Sequence, residues 1–288
     1  AGIIGGDFIE KVDGIASEEL GLANTASKLR GESGTKVLVE ISSQSGETRE
    51  VDLERRSVDL RPVRTKRLRE DSHTIGYLRI TQFSESVPRK VEEALQELKE
   101  KEVEGLILDL RNNSGGLVSS GIAVADLLLS NKPVVETKDR NGIKDAIISQ
   151  EEASFDGPMV TLVNKGTASA SEILAGSLQD NDRSILMGEQ TYGKGLIQSL
   201  KSLGEDSGIA ITVASYLTPK GSNIQGQGIT PDKLLDLPDA SEYGNADDKW
   251  VRNAELFLDS FLEKEEVSIQ KSAYSNEGLN PELANSDN

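Results

Sequence analysis

A turn rich in small residues contains the residue types needed for nucleophilic chemistry. The segment from Asn164 to Ser171 follows an apolar run, Met159 to Val163, and precedes apolar positions that recur at helical spacing. This pattern predicts a buried strand, a tight turn and a helix. A serine in such a turn lies beside the unpaired amides of a helix N-terminus, which favour developing negative charge. Ser169 and Ser171 are therefore candidate nucleophiles.

A serine hydroxyl is a weak nucleophile and needs a base. The chain contains one histidine and no cysteine, and His73 lies in a polar run outside any small-residue turn. A lysine acts as a base when burial disfavours its charged form. Lys194 lies between Gly193 and Gly195, where the chain can approach another backbone closely. We therefore predict a serine with a buried lysine as its base.

A second turn offers backbone amides to a ligand. The residues from Arg111 to Gly116 follow an apolar strand, Gly105 to Leu110, and precede an apolar helix predicted at about residues 117–129. A Gly-Gly turn at the carboxyl end of a strand leaves bare N–H groups within reach of a bound oxygen. By itself, such a glycine pair is somewhat more often an ordinary turn that has no catalytic role.

These three segments together resemble the carboxyl-terminal processing proteases, also called tail-specific proteases, of the S41 family. Members are serine proteases with a Ser-Lys catalytic pair. In that family the nucleophile lies in a small-residue run that ends in Ser-Glu, and the lysine lies in Gly-Lys-Gly at the spacing found here, 25 residues from Ser169 to Lys194. The resemblance thus selects Ser169 over Ser171. It extends from about Ile3 to Asp232 and is greatest to the photosynthetic members that mature the D1 protein of photosystem II.

The resemblance implies roles for six positions. They are the nucleophile Ser169, the base Lys194, the orienting side chain Gln198, the oxyanion-hole amides of Gly115 and Ala170, and a structural support, Asp180. Two such amides hold the oxygen of a tetrahedral intermediate, and each is worth about 3 kcal/mol in other enzymes.

The implied fold class is α/β, with a protease core of the ClpP/crotonase-like α/β spiral type at residues 59–240. Residues 1–58 are expected to form a truncated PDZ-like α+β domain. Its elements are a helix from Ser17 to Leu29, with an apolar face that includes Leu22, and a hairpin of residues 36–41 and 49–54. PDZ domains bind C-terminal peptides at a sheet edge. The alternative for this region is a small α+β domain without a ligand.

The first half of a PDZ domain is missing from the sequence, and the first residue is alanine. We therefore expect the chain to begin inside a longer precursor. Residues 60–70 are basic and predict a connector with solvated charges. A C-terminal helix is predicted at residues 241–264, followed by a flexible polar tail at 265–288. The helix carries an apolar stripe expected to form core or interface packing: Trp250, Val251, Ala254, Phe257, Leu258, Phe261 and Leu262.

Composition narrows the possible partners. A net charge of −17 makes a nucleic-acid partner unfavourable. No run of eighteen apolar residues occurs, so we expect no transmembrane segment in this chain. No His, Cys and Asp cluster has metal-ligand spacing, and the Lys194 segment lacks the glycine-rich lead-in of a phosphate-binding loop. Neither a metal nor another cofactor is expected.

The main functional hypothesis is a serine endopeptidase that cleaves near the free C-terminal tail of protein substrates. The photosynthetic resemblance implies the D1 precursor as substrate and the thylakoid lumen as location. A broad tail-specific protease of a bacterial periplasm would carry the same residues. Two other classes remain open: a catalytically inactive peptide-binding protein, and a crotonase-like acyl-CoA enzyme, which should lack a Ser-Lys pair.

Overall fold

The computed structural model describes residues 2–3, 7–43, 46–56, 61–68, 73–150, 152–204, 207–236, 243–245 and 247–277. The description excludes the side chains of residues 143–144, 198–200, 202–204, 207, 210 and 265–277. The chain divides into two compact units, Ala1–Leu60 and Arg61–Asn288.

The first unit contains an antiparallel sheet and one helix. Its elements are β1 Phe8–Val12, β2 Ile15–Ala16, α1 Ser17–Leu29, β3 Lys36–Ser42 and β4 Thr48–Glu54, with strand order β2-β1-β3-β4. Strands β3 and β4 pair with Val39 opposite Val51, which confirms the predicted hairpin. Alternate residues of β3 point to one face of the sheet, and Val37, Val39 and Ile41 are buried there.

Helix α1 has the predicted bounds but not the predicted apolar face. Gly21 has a φ of +68°, which interrupts the regular helix near its start. Leu22 is consequently 90% exposed, while Leu20 and Leu29 pack against the core of the unit. The prediction for Leu22 was wrong because it assumed helical spacing across a residue that is not helical.

The second unit is built on a six-stranded sheet with the order β14-β11-β10-β7-β6-β5. Neighbouring strands from β6 to β14 are parallel, and β5 is antiparallel at the edge. The strands are β5 Val63–Leu68, β6 Ile75–Ile80, β7 Gly105–Asp109, β10 Met159–Val163, β11 Ile185–Gly188 and β14 Lys233–Leu234. The helices are α2 Val87–Glu100, α3 Val118–Asp126, α4 Ala170–Asp180 and α5 Lys249–Glu277.

Both faces of this sheet are covered. Leu106 and Leu108 of β7 belong to the core that includes residues of α2, α3 and α4. Ile107, between them, belongs to a second core with Trp250 and Leu258 of α5. Strands buried on both faces require continuous apolar runs. The α/β class is confirmed. The predicted packing of the apolar stripe on α5 is confirmed for four residues, Trp250, Val251, Ala254 and Leu258, which are buried, whereas Phe261 is 41% exposed.

A second sheet contains the antiparallel strands β12-β13-β8-β9. Their bounds are β8 Pro133–Asp139, β9 Gly142–Ile148, β12 Leu196–Gly204 and β13 Ser207–Leu217. Strands β8 and β9 form a hairpin, and the Asn141-Gly142 pair where β9 begins is a typical hairpin sequence.

Two segments differ from prediction. Strand β5 lies in the basic run expected to be a connector, because the run pairs with β6 while Arg64, Lys66 and Arg67 stay exposed. Helix α5 begins at Lys249 rather than residue 241, and it continues through residues 265–277, where a flexible tail was expected. That extension contains neither glycine nor proline, so nothing in it stops a helix. Residues 278–288 lie outside the described part.

Candidate active site

Three adjacent parallel strands bring the predicted motifs to one edge of the six-stranded sheet. Strands β7, β10 and β11 are neighbours, and their carboxyl ends meet at that edge. The turn from Arg111 to Gly116 follows β7, the turn that contains Ser169 follows β10, and the loop that contains Lys194 follows β11. This edge is the usual ligand site of open α/β sheets.

Ser169 lies on a sharp turn immediately before α4. Its φ of +57° is rare for a residue with a side chain and stores backbone strain. The residue is partly buried. Ala170 is the first residue of α4, and its N–H has no hydrogen-bond partner among the described residues. The helix N-terminus therefore presents a free donor next to the serine.

Gly115 packs directly against this turn. A β-carbon built on Gly115 would lie 2.8 Å from Cβ of Ser169 and 3.1 Å from the nitrogen of Ala170, so only glycine fits there. However, the N–H of Gly115 donates to Oδ1 of Asn113 at 3.0 Å. The predicted first oxyanion amide is thus occupied, because the Asn113 side chain folds back on its own turn. The next amide, of Gly116, has no partner in the described part of the chain.

Lys194 is exposed, contrary to the predicted burial. The flanking glycines do approach another backbone: a β-carbon on Gly193 would lie 2.9 Å from the nitrogen of Gly228, and one on Gly195 would lie 2.7 Å from the nitrogen of Gln225. That packing fixes the loop backbone but leaves the lysine side chain uncovered. Gln198 lies in β12 opposite Thr212, and its side chain is outside the described part.

A buried carboxylate that the sequence did not single out joins the serine turn to the lysine loop. Glu172 is fully buried. Its Oε2 accepts the N–H groups of Ser169 at 2.9 Å and Lys194 at 2.8 Å. Its Oε1 accepts the N–H of Gly193 at 2.6 Å and the hydroxyl of Thr191 at 2.5 Å. One side chain thereby holds the backbone of both predicted catalytic residues. The Ser-x-x-Glu capping pattern was the available signal.

Gly228 and Ile229 support the same loop. The hydroxyl of Thr191 accepts the N–H of Ile229 at 2.7 Å, and Gly228 touches the Thr191 carbonyl so closely that no β-carbon fits. Asp180, at the end of α4, accepts the N–H of Lys220 at 2.8 Å and so connects α4 to the turn after β13. The side chain of Asp180 thus binds a backbone N–H group of that turn.

A buried charge network lies behind the turn after β7. The guanidinium of Arg111 donates to Asp109 at 3.0 and 2.7 Å and to Asp248 at 3.0 and 2.6 Å. Arg79 and the hydroxyl of Tyr77 also contact Asp109, at 2.9 and 2.6 Å. All five side chains are at least nine-tenths buried. Charged residues in such a site must be paired, and here two cations face two carboxylates.

The network shifts the pKa values of Arg111, Asp248 and Tyr77. Burial acts to lower the pKa of Arg111, but the hydrogen bonds that it donates to Asp109 and Asp248 outweigh burial, and the pKa is raised. Burial acts to raise the pKa of Asp248, but the hydrogen bonds from Arg111 and from the N–H of Gly244 outweigh it, and the pKa is lowered. Burial, followed by the charge of Asp109, raises the pKa of Tyr77. These groups therefore keep their charge states at neutral pH.

A cleft of about 570 Å³ opens beside the glycine turn and is lined by residues 82–86, 116 and 117. Within the described residues, no group of three or more His, Asp or Glu side chains is arranged to hold a metal ion. No described helix is both long and apolar enough to cross a membrane.

Comparison with known proteins points to one family. The profile of peptidase family S41 matches residues 74–235, more than half of the chain. A carboxyl-terminal-processing protease from Synechocystis sp. is 45% identical over 242 residues, which cover 83% of this chain and 56% of the relative. The chloroplastic carboxyl-terminal-processing peptidase 2 of Arabidopsis thaliana is 40% identical over 243 residues, covering 82% and 47%.

The fold has a matching solved structure. That structure, of a photosystem II D1 C-terminal processing protease, superimposes with a TM-score of 0.67 at 37% identity, covering 82% of this chain and 64% of the other. This chain spans about half the length of the curated relatives it matches.

Proposed function

Because this chain belongs to peptidase family S41, we propose that it is a serine endopeptidase that cleaves near the carboxyl terminus of protein substrates. The observation that carries the proposal is the buried carboxylate of Glu172, which binds the backbone N–H groups of both Ser169 and Lys194. A nucleophile and a base act together only when their geometry is fixed. Glu172 supplies that constraint on the backbone of both.

The proposed chemistry is acyl transfer through a covalent intermediate. Oγ of Ser169 attacks a peptide carbonyl carbon, and Nζ of Lys194, in its neutral form, takes the hydroxyl proton. The C–N bond then breaks, and the lysine returns the proton to the leaving amine. Water attacks the acyl-enzyme with the same base, which releases the new carboxyl terminus and regenerates the serine.

Two features must change when substrate binds. Lys194 is exposed, and a neutral lysine requires exclusion of water, so the substrate chain itself covers it in the proposed complex. The N–H of Ala170 is one oxyanion donor. The second comes from the Gly115–Gly116 turn, where the Gly115 N–H serves only after it leaves Asn113. The cleft beside Gly116 would hold the substrate chain next to these donors.

For the substrate, we propose the D1 precursor of photosystem II, with the thylakoid lumen as the location. Support comes from the 37% identity to a structure described as a photosystem II D1 C-terminal processing protease. A broad tail-specific protease of a periplasm is the nearest alternative, since a bacterial relative carries only the general carboxyl-terminal-processing description. The exposed Lys194 and the occupied Gly115 amide favour a second candidate, an inactive peptide-binding protein.

The test is mass-spectrometric. The wild-type chain and its Ser169→Ala and Lys194→Ala variants are incubated with a peptide that copies the D1 carboxyl terminus and with an unrelated apolar tail. Cleavage of the D1 peptide alone at one bond, lost in both variants, is the expected result. Cleavage of both peptides would replace the D1 assignment with broad tail specificity. No cleavage by folded wild-type protein would favour the binding protein.

A further inference from the structure

Residues 243–245 and 247–250 lie beyond the part of the chain that matches the S41 profile, which ends at residue 235. Tyr243 and Asp248 in this segment nevertheless contact the turn after β7. Both carboxylate oxygens of Asp248 accept hydrogen bonds from Arg111, at 3.0 and 2.6 Å, and both side chains are fully buried. A paired, two-point contact of this kind fixes orientation as well as distance.

Tyr243 contacts the same turn one residue further along. Its hydroxyl accepts a hydrogen bond from Nδ2 of Asn112 at 2.5 Å. Its ring lies under two guanidinium groups, with the centroid 4.4 Å from Cζ of Arg111 and 4.0 Å from Cζ of Arg79. Tyr243 and Asp248 therefore hold consecutive residues of the turn through different side chains.

The turn after β7 also contacts the turn that contains the nucleophile. The carbonyl of Asn113 accepts the N–H of Ala168 at 3.0 Å and the hydroxyl of Ser171 at 2.9 Å. Gly115 then packs against Ser169. A displacement of Arg111 and Asn112 would therefore move Asn113 and Gly115, and through their direct contacts it would shift the residues on both sides of Ser169.

We propose that Asp248 and Tyr243 are positioning residues. By holding Arg111 and Asn112, they set the position of the turn after β7, which includes Gly115 and Gly116, relative to Ser169. The proposal rests on the protease function proposed above. Stability alone is a poor explanation for the pair, because a buried ion pair contributes little relative to apolar residues of the same volume. Its directional contacts, by contrast, specify one position of the turn.

Asp248 also caps α5, and the two roles can be separated. Its Oδ1 accepts the N–H groups of Trp250 and Val251 at 3.2 and 3.3 Å. Asparagine caps a helix as well as aspartate does, so Asp248→Asn keeps the cap and removes the charge that faces Arg111. Asp247→Asn is the matched control, because it makes the same charge change at an exposed neighbour in the same segment. Tyr243→Phe removes only the hydroxyl and keeps the ring.

The experiment measures kcat, KM and amide hydrogen exchange on the wild-type chain and these three variants, together with the thermal midpoint. For Asp248→Asn and Tyr243→Phe we expect kcat to fall about tenfold with KM nearly unchanged, which is within the loss of about 100-fold that a displacement of 1 Å causes. Exchange should become faster in residues 111–117 than elsewhere. Asp247→Asn should match the wild type in every measurement.

The proposal is overturned if kcat and exchange of residues 111–117 in Asp248→Asn equal those of Asp247→Asn, even when the thermal midpoint falls. A rise in KM alone would also overturn it, since substrate binding and not the turn would then be affected. If the wild type shows no cleavage that depends on Ser169, the proposed function fails. The exchange comparison, which needs no activity, then decides the positioning role by itself.

Discussion

Replacement of Glu172 by glutamine is the sharpest test of the site. The change keeps the size and shape of the side chain but removes its charge and one of its two acceptor atoms. In the native structure this carboxylate accepts four hydrogen bonds, from Ser169, Lys194, Thr191 and Gly193. An amide cannot accept from all four donors. The variant must therefore be less stable, and the backbones of Ser169 and Lys194 must be held less firmly.

The magnitude follows from the least costly orientation of the new amide. Its oxygen faces the N–H groups of Ser169 and Lys194, and its NH₂ group faces Thr191, whose hydroxyl can accept. The N–H of Gly193 is then buried without a partner, which costs about 1–3 kcal/mol. The two remaining hydrogen bonds lose their charge assistance, about 1 kcal/mol each. The expected loss in the free energy of unfolding is about 3–5 kcal/mol. The opposite orientation leaves two N–H groups unpaired and is worse.

The assay combines denaturant unfolding with steady-state cleavage of the preferred peptide. We expect kcat to fall about 100-fold, because the backbone of the nucleophile and that of the base lose their common anchor. Glu93→Gln is the control. Glu93 is exposed on α2 in a surface pair with Arg89, and such a pair contributes at most about 1 kcal/mol. If Glu172→Gln changed the free energy of unfolding no more than this control does and left kcat within about twofold of the wild type, the role assigned to Glu172 would be refuted.

Three further predictions follow from backbone strain and charge. Ser169→Gly should be about 1 kcal/mol more stable than Ser169→Ala in denaturant unfolding, because a φ of +57° strains alanine but not glycine; equal stability would contradict the strain. Gly116→Ala should destabilise the fold by more than about 2 kcal/mol, since the new β-carbon would collide with the carbonyl of Phe83, whereas Gly142→Ala, also at positive φ but in open space, should cost about 1 kcal/mol. Because folding lowers the pKa of Asp248, its contribution should be complete above the ordinary value of 3.8 and lost as pH falls through the lower folded value. The stability difference between wild type and Asp248→Asn should thus be constant from pH 7 to pH 5 and shrink below about pH 4, and a difference that grew on acidification would refute this assignment.

Much of the architecture was predictable because it is encoded locally. Continuous apolar runs identified the strands β7 and β10, which the structure confirms. The resemblance to the S41 proteases is likewise confirmed by the family match. The roles of Ser169, Lys194, Gln198, Gly115, Ala170 and Asp180 stay predictions. Where local patterns failed, as at Leu22 of α1, a single glycine broke the periodicity on which the prediction depended.

The sequence by itself determined the α/β class, the family and the order of the motifs, since each follows from short runs of residue types and from the spacing between those runs along the chain. Only the tertiary structure decided what surrounds those motifs. In the folded chain Lys194 is exposed and the N–H of Gly115 donates to Asn113. The carboxylate of Glu172 accepts hydrogen bonds from four donors. The tertiary structure also joined Arg111 to Asp248 across 137 residues. Burial and hydrogen-bond partners depend on which distant segments meet when parallel strands align, and no local pattern carries that information.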